Sequence, residues 1–352
     1  MTSEPQADVR RSASRQPSGS AQQPPAGGLR RSEVTLRAQA LVAERLPEAQ
    51  GLGRVLVDLI DEPDAFVETL REGFKRLADD EYAAGQARVA PTTDPVIAVR
   101  SPLIAAVERQ LRAPLRAGSA ASALWLAQRL VSEPEREIRL FSVVPLRRSL
   151  TDDPERSWQV MRRLARTSAD WISVDVLAGL YAQGILAENF RWAELEQLVF
   201  SADRWERRLV GSTVANVPHG LPRARRQELA RTPGLTLVKS LIGDAEPDVQ
   251  KALSWALRSW WEVDPFGTRE FIRHEAMVAR STGDGQRAWV LRDALTLPAI
   301  DSGFVEEIRE QLDGVRRSPG APSTSAAAEI AAQFKGLQEL TGAAVAQQGS
   351  RY

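Results

Sequence analysis

The sequence predicts an all-α protein, and three observations carry that expectation. Apolar residues recur every three or four positions in one segment after another, as a helix with one buried face requires. The connections between these segments are short and hold Pro, Gly, Ser or Asp, residues that start or stop helices. No segment alternates β-branched and polar residues as a half-buried strand does.

The elements follow in order. Segments 34–45 and 64–78 have the three-four apolar spacing. Segment 101–112 opens on Ser101 and Pro102, a cap followed by a first-turn proline. Helices at 121–131, 135–150, 155–166 and 173–183 come next. Then follow 192–200, 204–217, 223–230 and 235–242, and the run ends with 248–261, 266–274, 285–295 and 304–312. A further helix is expected at 325–340. Helix pairs in tandem, roughly 35–45 residues each, suggest a HEAT-like α-solenoid with a concave basic face, Trp171 to Trp205 being one step. A helical bundle is the competing architecture. Residues 1–31, rich in Ser, Pro, Gln and Gly, read as a disordered tail. Residues 32–63 read as an N-terminal helical extension, 64–315 as the main domain, and 316–352 as a low-complexity tail.

Composition excludes several chemistries. The chain has 352 residues and no Cys, so disulfides, thiolate nucleophiles and iron–sulfur clusters are out. Two His leave no room for a His-rich metal cage, and no cofactor or metal is implied. Only Lys75, Lys239, Lys251 and Lys335 accompany a large excess of Arg. No apolar run reaches the roughly 18–20 residues of a membrane span, and the N-terminus has no signal-peptide core. A cytoplasmic monomer is expected. The 46 basic and 46 acidic residues balance, but the balance is uneven along the chain. Segment 204–292 is basic, with Arg204, Arg223, Arg225, Arg226, Arg231 and Lys239 among its cations, and the flanking segment 32–203 is acidic. A basic strip is the usual footprint of a phosphate backbone.

Eight of the nine Trp lie beyond position 157, and three motifs hold several of them. In Asp170-Trp171-Ile172-Ser173-Val174-Asp175, Ser173 reads as a helix cap, with Trp171 just outside the helix and Asp175 in its first turn. In Trp205-Glu206-Arg207-Arg208 the adjacent arginines point in different directions, so one faces solvent while the other enters a groove. In 249–261, Lys251, Trp255 and Arg258 share one helix face, opposite Val249, Leu253, Ala256, Leu257 and Trp260. A Trp between two cations makes a poor core and a good aromatic platform beside a phosphate-binding strip.

In order and spacing these three blocks resemble those of the AlkD-type DNA alkylation repair enzymes, HEAT-like DNA glycosylases. The likeness includes Asp264-Pro265 after the third block. It extends upstream to Pro134-Glu135-Arg136-Glu137 and to 99–102, covering about 64–296. It implies that Asp175 is the catalytic carboxylate, that Trp171 and Trp255 flank the lesion, and that Arg208 accompanies them on a backbone phosphate. Lys251, Arg258 and Arg207 would be further DNA contacts. Two departures stand out: Ile172 replaces an acidic residue, and Asn216 stands where a basic one is expected, with His219 nearby.

The implied reaction suits these residues. An N3- or N7-alkylated purine is already cationic and leaves without a general acid. A fixed carboxylate stabilises the oxocarbenium ion on the sugar and orients water, as in glycoside hydrolysis. The expected function is therefore monofunctional alkylpurine glycosylase action on double-stranded DNA containing alkylated bases, without a lyase step. The alternatives are a non-catalytic HEAT-like scaffold that holds DNA or protein, and a structural protein with no nucleic acid.

Overall fold

The computed structural model describes residues 27–333, with the side chains of 33–333. The described residues divide into two units between Glu44 and Arg45, and everything positioned around the candidate site belongs to the second. The described residues form seventeen α-helices, three 3-10 segments and no strand. In order these are α1 (Gly27–Val57), α2 (Pro63–Leu77), α3 (Asp80–Val89), α4 (Ser101–Ala117), α5 (Ala120–Val131), α6 (Arg136–Phe141) and α7 (Val143–Asp152). Then come α8 (Pro154–Arg166), α9 (Trp171–Ala187), α10 (Arg191–Gln197), α11 (Arg204–Asn216), α12 (Gly234–Leu241) and α13 (Pro247–Trp261). The last four are α14 (Pro265–Thr282), α15 (Gly285–Ala294), α16 (Ser302–Gln311) and α17 (Ala326–Gln333).

Aspartate opens most of the well-capped helices. Asp79, Asp153, Asp170, Asp203, Asp264, Asp284 and Asp301 each accept from a backbone amide of the turn they precede. The carboxylate satisfies an orphan donor and sits at the positive end of the helix dipole. Gly283, at φ 69°, closes α14 in the left-handed conformation that a side chain disfavours.

The helices α4, α7, α9, α11, α13 and α15 pack side by side, each on the next, and α5, α8, α12 and α14 back them. This is the expected all-α helical-repeat solenoid. One apolar core runs through it from Leu124 to Ala327, and each buried Leu, Ile or Phe contributes about 2–3 kcal/mol relative to exposure. At one point α11 and α13 nearly touch. A Cβ on Gly211 would lie 2.9 Å from Ala252 Cβ and 3.1 Å from the Ala252 carbonyl carbon, so only glycine permits this approach.

The helix positions mostly agree with the sequence reading, and the exceptions have identifiable causes. The helix expected over 135–150 is broken at Ser142 into α6 and α7. Pro145 has no amide hydrogen for the Phe141 carbonyl, so the ladder fails there. Segment 80–89, unassigned in the sequence reading, is α3, capped by Asp79. Segment 223–231 is 3-10 rather than α-helix. Ser101 lies inside α4 and Arg100 takes the cap position without a side-chain bond.

The domain limits also move. The tail boundary at 31 falls inside α1, while 1–26 and 334–352 lie outside the described residues. The extension at 32–63 does not end as a separate piece before α2: Ala49, Leu52 and Leu56 are buried, and Arg76 pairs with Glu48. Segment 316–333 is packed rather than trailing. The Thr324 amide donates to the Gly243 carbonyl at 2.9 Å, Arg317 Nη1 donates to Gln250 Oε1 at 3.0 Å, and Ala327 of α17 is buried.

Candidate active site

The site begins with the start of α9. Asp170, fully buried, caps this helix: its Oδ1 accepts from the amides of Ile172 (2.8 Å) and Ser173 (3.0 Å), and its Oδ2 accepts from Ser173 Oγ (3.0 Å). The cap is thus Asp170 and not Ser173. Trp171 lies inside the helix as its first residue, and Asp175 falls in the second turn, where the dipole has faded. Trp171 and Asp175 therefore stand four residues apart on one helix face. The Trp171 indole Nε1 donates to the Val89 carbonyl at the end of α3, 2.9 Å away, which fixes the ring's orientation.

The neighbouring α11 supplies the partners of Asp175. Arg208 binds it in a fork, Nε to Oδ1 at 3.2 Å and Nη2 to Oδ2 at 2.8 Å. Ser212, one turn on, donates its hydroxyl to Oδ1 at 2.6 Å. The third guanidinium nitrogen, Nη1, donates to the Asp248 carbonyl at the start of α13, 2.6 Å away. One arginine thus ties together α9, α11 and α13. Its guanidinium carbon also lies 6.0 Å from the centre of the Trp171 ring. The Asp175 side chain is 23% exposed and that of Arg208 only 6%. The carboxylate is reachable and its clamp is not.

On α13 the expected division of faces is present. Val249, Leu253, Ala256, Leu257 and Trp260 are buried, and Trp260 donates to the Val214 carbonyl at 3.1 Å. On the other face Lys251 is 62% exposed, 4.0 Å from Asp248 Oδ1. Trp255 is half-buried, with one side on the core. Arg258 reaches across to α15, where Nη1 meets Asp293 Oδ2 at 2.7 Å and the Asp293 carbonyl at 3.0 Å.

The arginines expected on phosphates are therefore engaged within the protein. Arg208 holds Asp175. Arg207 binds Asp244 at 2.7 Å and the carbonyls of Ser201 and Ala202 at 2.9 Å, joining the start of α11 to the turn before α13. Of the other cations of the basic segment, Arg204, Arg225 and Arg226 face Glu246, Glu228 and Glu262. The segment's positive charge is largely answered at close range, a consequence of carboxylates brought in from other helices. Asn216 donates back to the Ser212 carbonyl at 2.8 Å, and the exposed His219 ring lies 3.4 Å from Ser259 Oγ.

Ser212 and the Val89 carbonyl escaped the sequence reading. Arg208 and Ser212 do share an i, i+4 face of α11, but nothing local says that this face meets α9. Ile172 lines a cavity of about 260 Å³ together with Tyr82, Ile104, Leu140, Phe141 and Val176. Gln86, Ser101, Glu108, Arg136, Glu137 and Arg147 line the same cavity, and nothing in its lining explains this departure from the family's block.

A family model described as DNA alkylation repair enzyme matches residues 70–297. No curated protein and no solved structure matches the chain significantly. The match covers well over half of the sequence and spans every helix from α3 to α15, including the three that hold Asp175, Arg208 and Trp255, so the protein belongs to the DNA alkylation repair enzyme family.

Proposed function

We propose that this repair enzyme is a monofunctional DNA glycosylase, working as a cytoplasmic monomer, that releases cationic alkylated purines of the N3-methyladenine and N7-methylguanine type from duplex DNA. The observation that carries the reading is Asp175, a reachable carboxylate held by three donors, Arg208 Nε, Arg208 Nη2 and Ser212 Oγ. Such a group is oriented before substrate arrives and needs no reorganisation during reaction.

The alkylated purine takes the bonding electron pair with it and departs neutral, leaving positive charge on the deoxyribose. Asp175 stabilises that charge and orients a water, which attacks the anomeric carbon and passes its proton to the Asp175 carboxylate. Trp171 and Trp255 offer faces to the cationic base, each worth about 0.5–2 kcal/mol, and so favour it over the neutral parent. Lys251, exposed on α13, takes a backbone phosphate, with Arg258 beside it.

A scaffold reading has one observation in its favour: the Arg208–Asp175 pair also braces α9, α11 and α13. Base release separates the two. Duplex DNA carrying N7-methylguanine or N3-methyladenine is incubated with the wild type and with Asp175→Asn. Release by the first and not by the second supports the glycosylase. Tight binding without release by either sinks it in favour of the scaffold.

A further inference from the structure

Outside the site, the strongest feature of the molecule is a trough between α4 and α7. It has a volume of about 870 Å³, and four arginines line it: Arg112 and Arg116 from α4, Arg147 and Arg148 from α7. Glu108 is the only carboxylate in its wall and pairs with both Arg112 and Arg147. Four arginines meet two carboxylates, since Arg148 pairs with Asp152, which does not line the trough. Arg109, Arg112 and Arg116 are exposed and spaced three and four apart, so they form one stripe along α4. No described residue pairs with Arg109 or Arg116. Arg148 Nε is buried without a partner, although its outer nitrogens meet Asp152 and the Gly118 carbonyl.

The trough borders a cavity that reaches α9, the helix that carries Asp175. Glu108, Val144 and Arg147 line both the trough and the cavity that reaches Ile172 and Val176 on α9. Gln183 of α9 closes the trough's far wall. That residue lies eight positions after Asp175, which is about 12 Å along the helix, or three to four base-pair steps of a duplex.

We infer that this trough is a second anchoring site for the phosphodiester backbone, taking the duplex a few base pairs to one side of the nucleotide presented to Asp175. The inference rests on the proposed glycosylase reading for its partner. A backbone is the ligand this chemistry fits: a line of mobile, solvated cations attracts repeated negative charge and reads no sequence. Segment 32–203 is acidic in sum, yet residues 100–148 within it carry nine arginines against four glutamates, a local excess that the sum over the longer segment conceals.

The test is a salt titration of duplex binding by fluorescence anisotropy, with a duplex of about 20 base pairs. Wild type is compared with Arg112→Glu/Arg116→Glu and with Glu108→Gln, and base release by the wild type is measured in parallel. Removing two phosphate contacts flattens the slope of log affinity against log salt by about 2 and weakens binding at least about tenfold. The Glu108→Gln variant removes the opposing charge, so it binds more tightly, a gain that misfolding does not produce. Unchanged slopes in both variants overturn the trough, as does wild-type binding that does not vary with salt. Salt-dependent binding without base release by the wild type removes the glycosylase reading alone, and the slopes of the variants still decide the trough.

Discussion

The molecule holds two clusters of arginine that serve opposite ends. Around α9, α11 and α13 the guanidinium groups are turned inward: Arg208 grips Asp175, Arg207 grips Asp244, and Arg258 grips Asp293. Between α4 and α7, Arg112, Arg116 and Arg147 face solvent, and Glu108 serves two of them, while Arg148 is largely covered. The first arrangement gives rigidity, because a buried fork fixes both partners. The second gives attraction, because a solvated cation can exchange its counterions for a phosphate. A count of charge along the chain does not separate these two arrangements, since it registers residues and not what stands next to them.

The largest expected effect falls on the carboxylate itself. Asp175→Asn retains a hydrogen-bonding side chain of the same size but loses the charge, and base release should fall by roughly 10²–10³, as when a preorganised electrostatic group is removed. A lower melting temperature should accompany it, because Arg208 loses its charge partner, so release is compared at a temperature where both proteins are folded. Undiminished release would mean that the inward cluster is architecture only.

Arginine-to-alanine substitutions contrast the two clusters most directly. Arg208→Ala strips a partly buried carboxylate and the Asp248 carbonyl of their donor, and should cost about 2–4 kcal/mol in urea denaturation. Arg116→Ala touches nothing buried and should stay within about 0.5 kcal/mol of wild type. Equal costs at the two positions would erase the distinction.

Gly211→Val probes the close approach that brings Arg208 to the start of α13. The added side chain meets Ala252 backbone as well as its Cβ, and overpacking of this kind costs about 1–3 kcal/mol. Base release should fall more than stability does if the spacing of Trp171 and Trp255 matters. Loss of stability alone would confine Gly211 to packing.

The smallest effect is a pH dependence at the α3 cap. Burial pushes the Asp79 carboxyl upward, but bonds from the Tyr82 amide and from Arg100 outweigh it and hold it below its ordinary value. A depressed folded pKa adds stability above the unfolded value near 4 and loses it as pH falls through the folded one. Thermal unfolding scanned from pH 6 to pH 2 should therefore show a decline below about pH 4 that is shallower in Asp79→Asn. An identical profile in the two proteins would rule out this contribution. Because α3 carries the Val89 carbonyl that fixes Trp171, the same variant would loosen one wall of the site.

The sequence by itself determined the helices and the chemistry of their ends. Local signals do this: apolar spacing, aspartate caps, and Pro145, whose missing amide splits α6 from α7. It also determined that Lys251, Trp255 and Arg258 share a face of α13, since spacing within one helix survives folding unchanged, while the resemblance to the family pointed to Asp175. Helix-to-helix relations were decided by the tertiary structure. The sequence placed Arg208 on a phosphate; packing α11 against α9 gave it Asp175 instead, with Ser212 beside it. Arg207, Arg208, Arg226 and Arg258 of the basic segment met carboxylates 33 to 37 residues away along the chain. Arg112 and Arg147, far apart along the chain, came to line one trough. The reason is physical: a side chain's charge is a local property of the sequence, but its neutralisation depends on distance, and only the packed chain sets distances between residues that lie far apart along it.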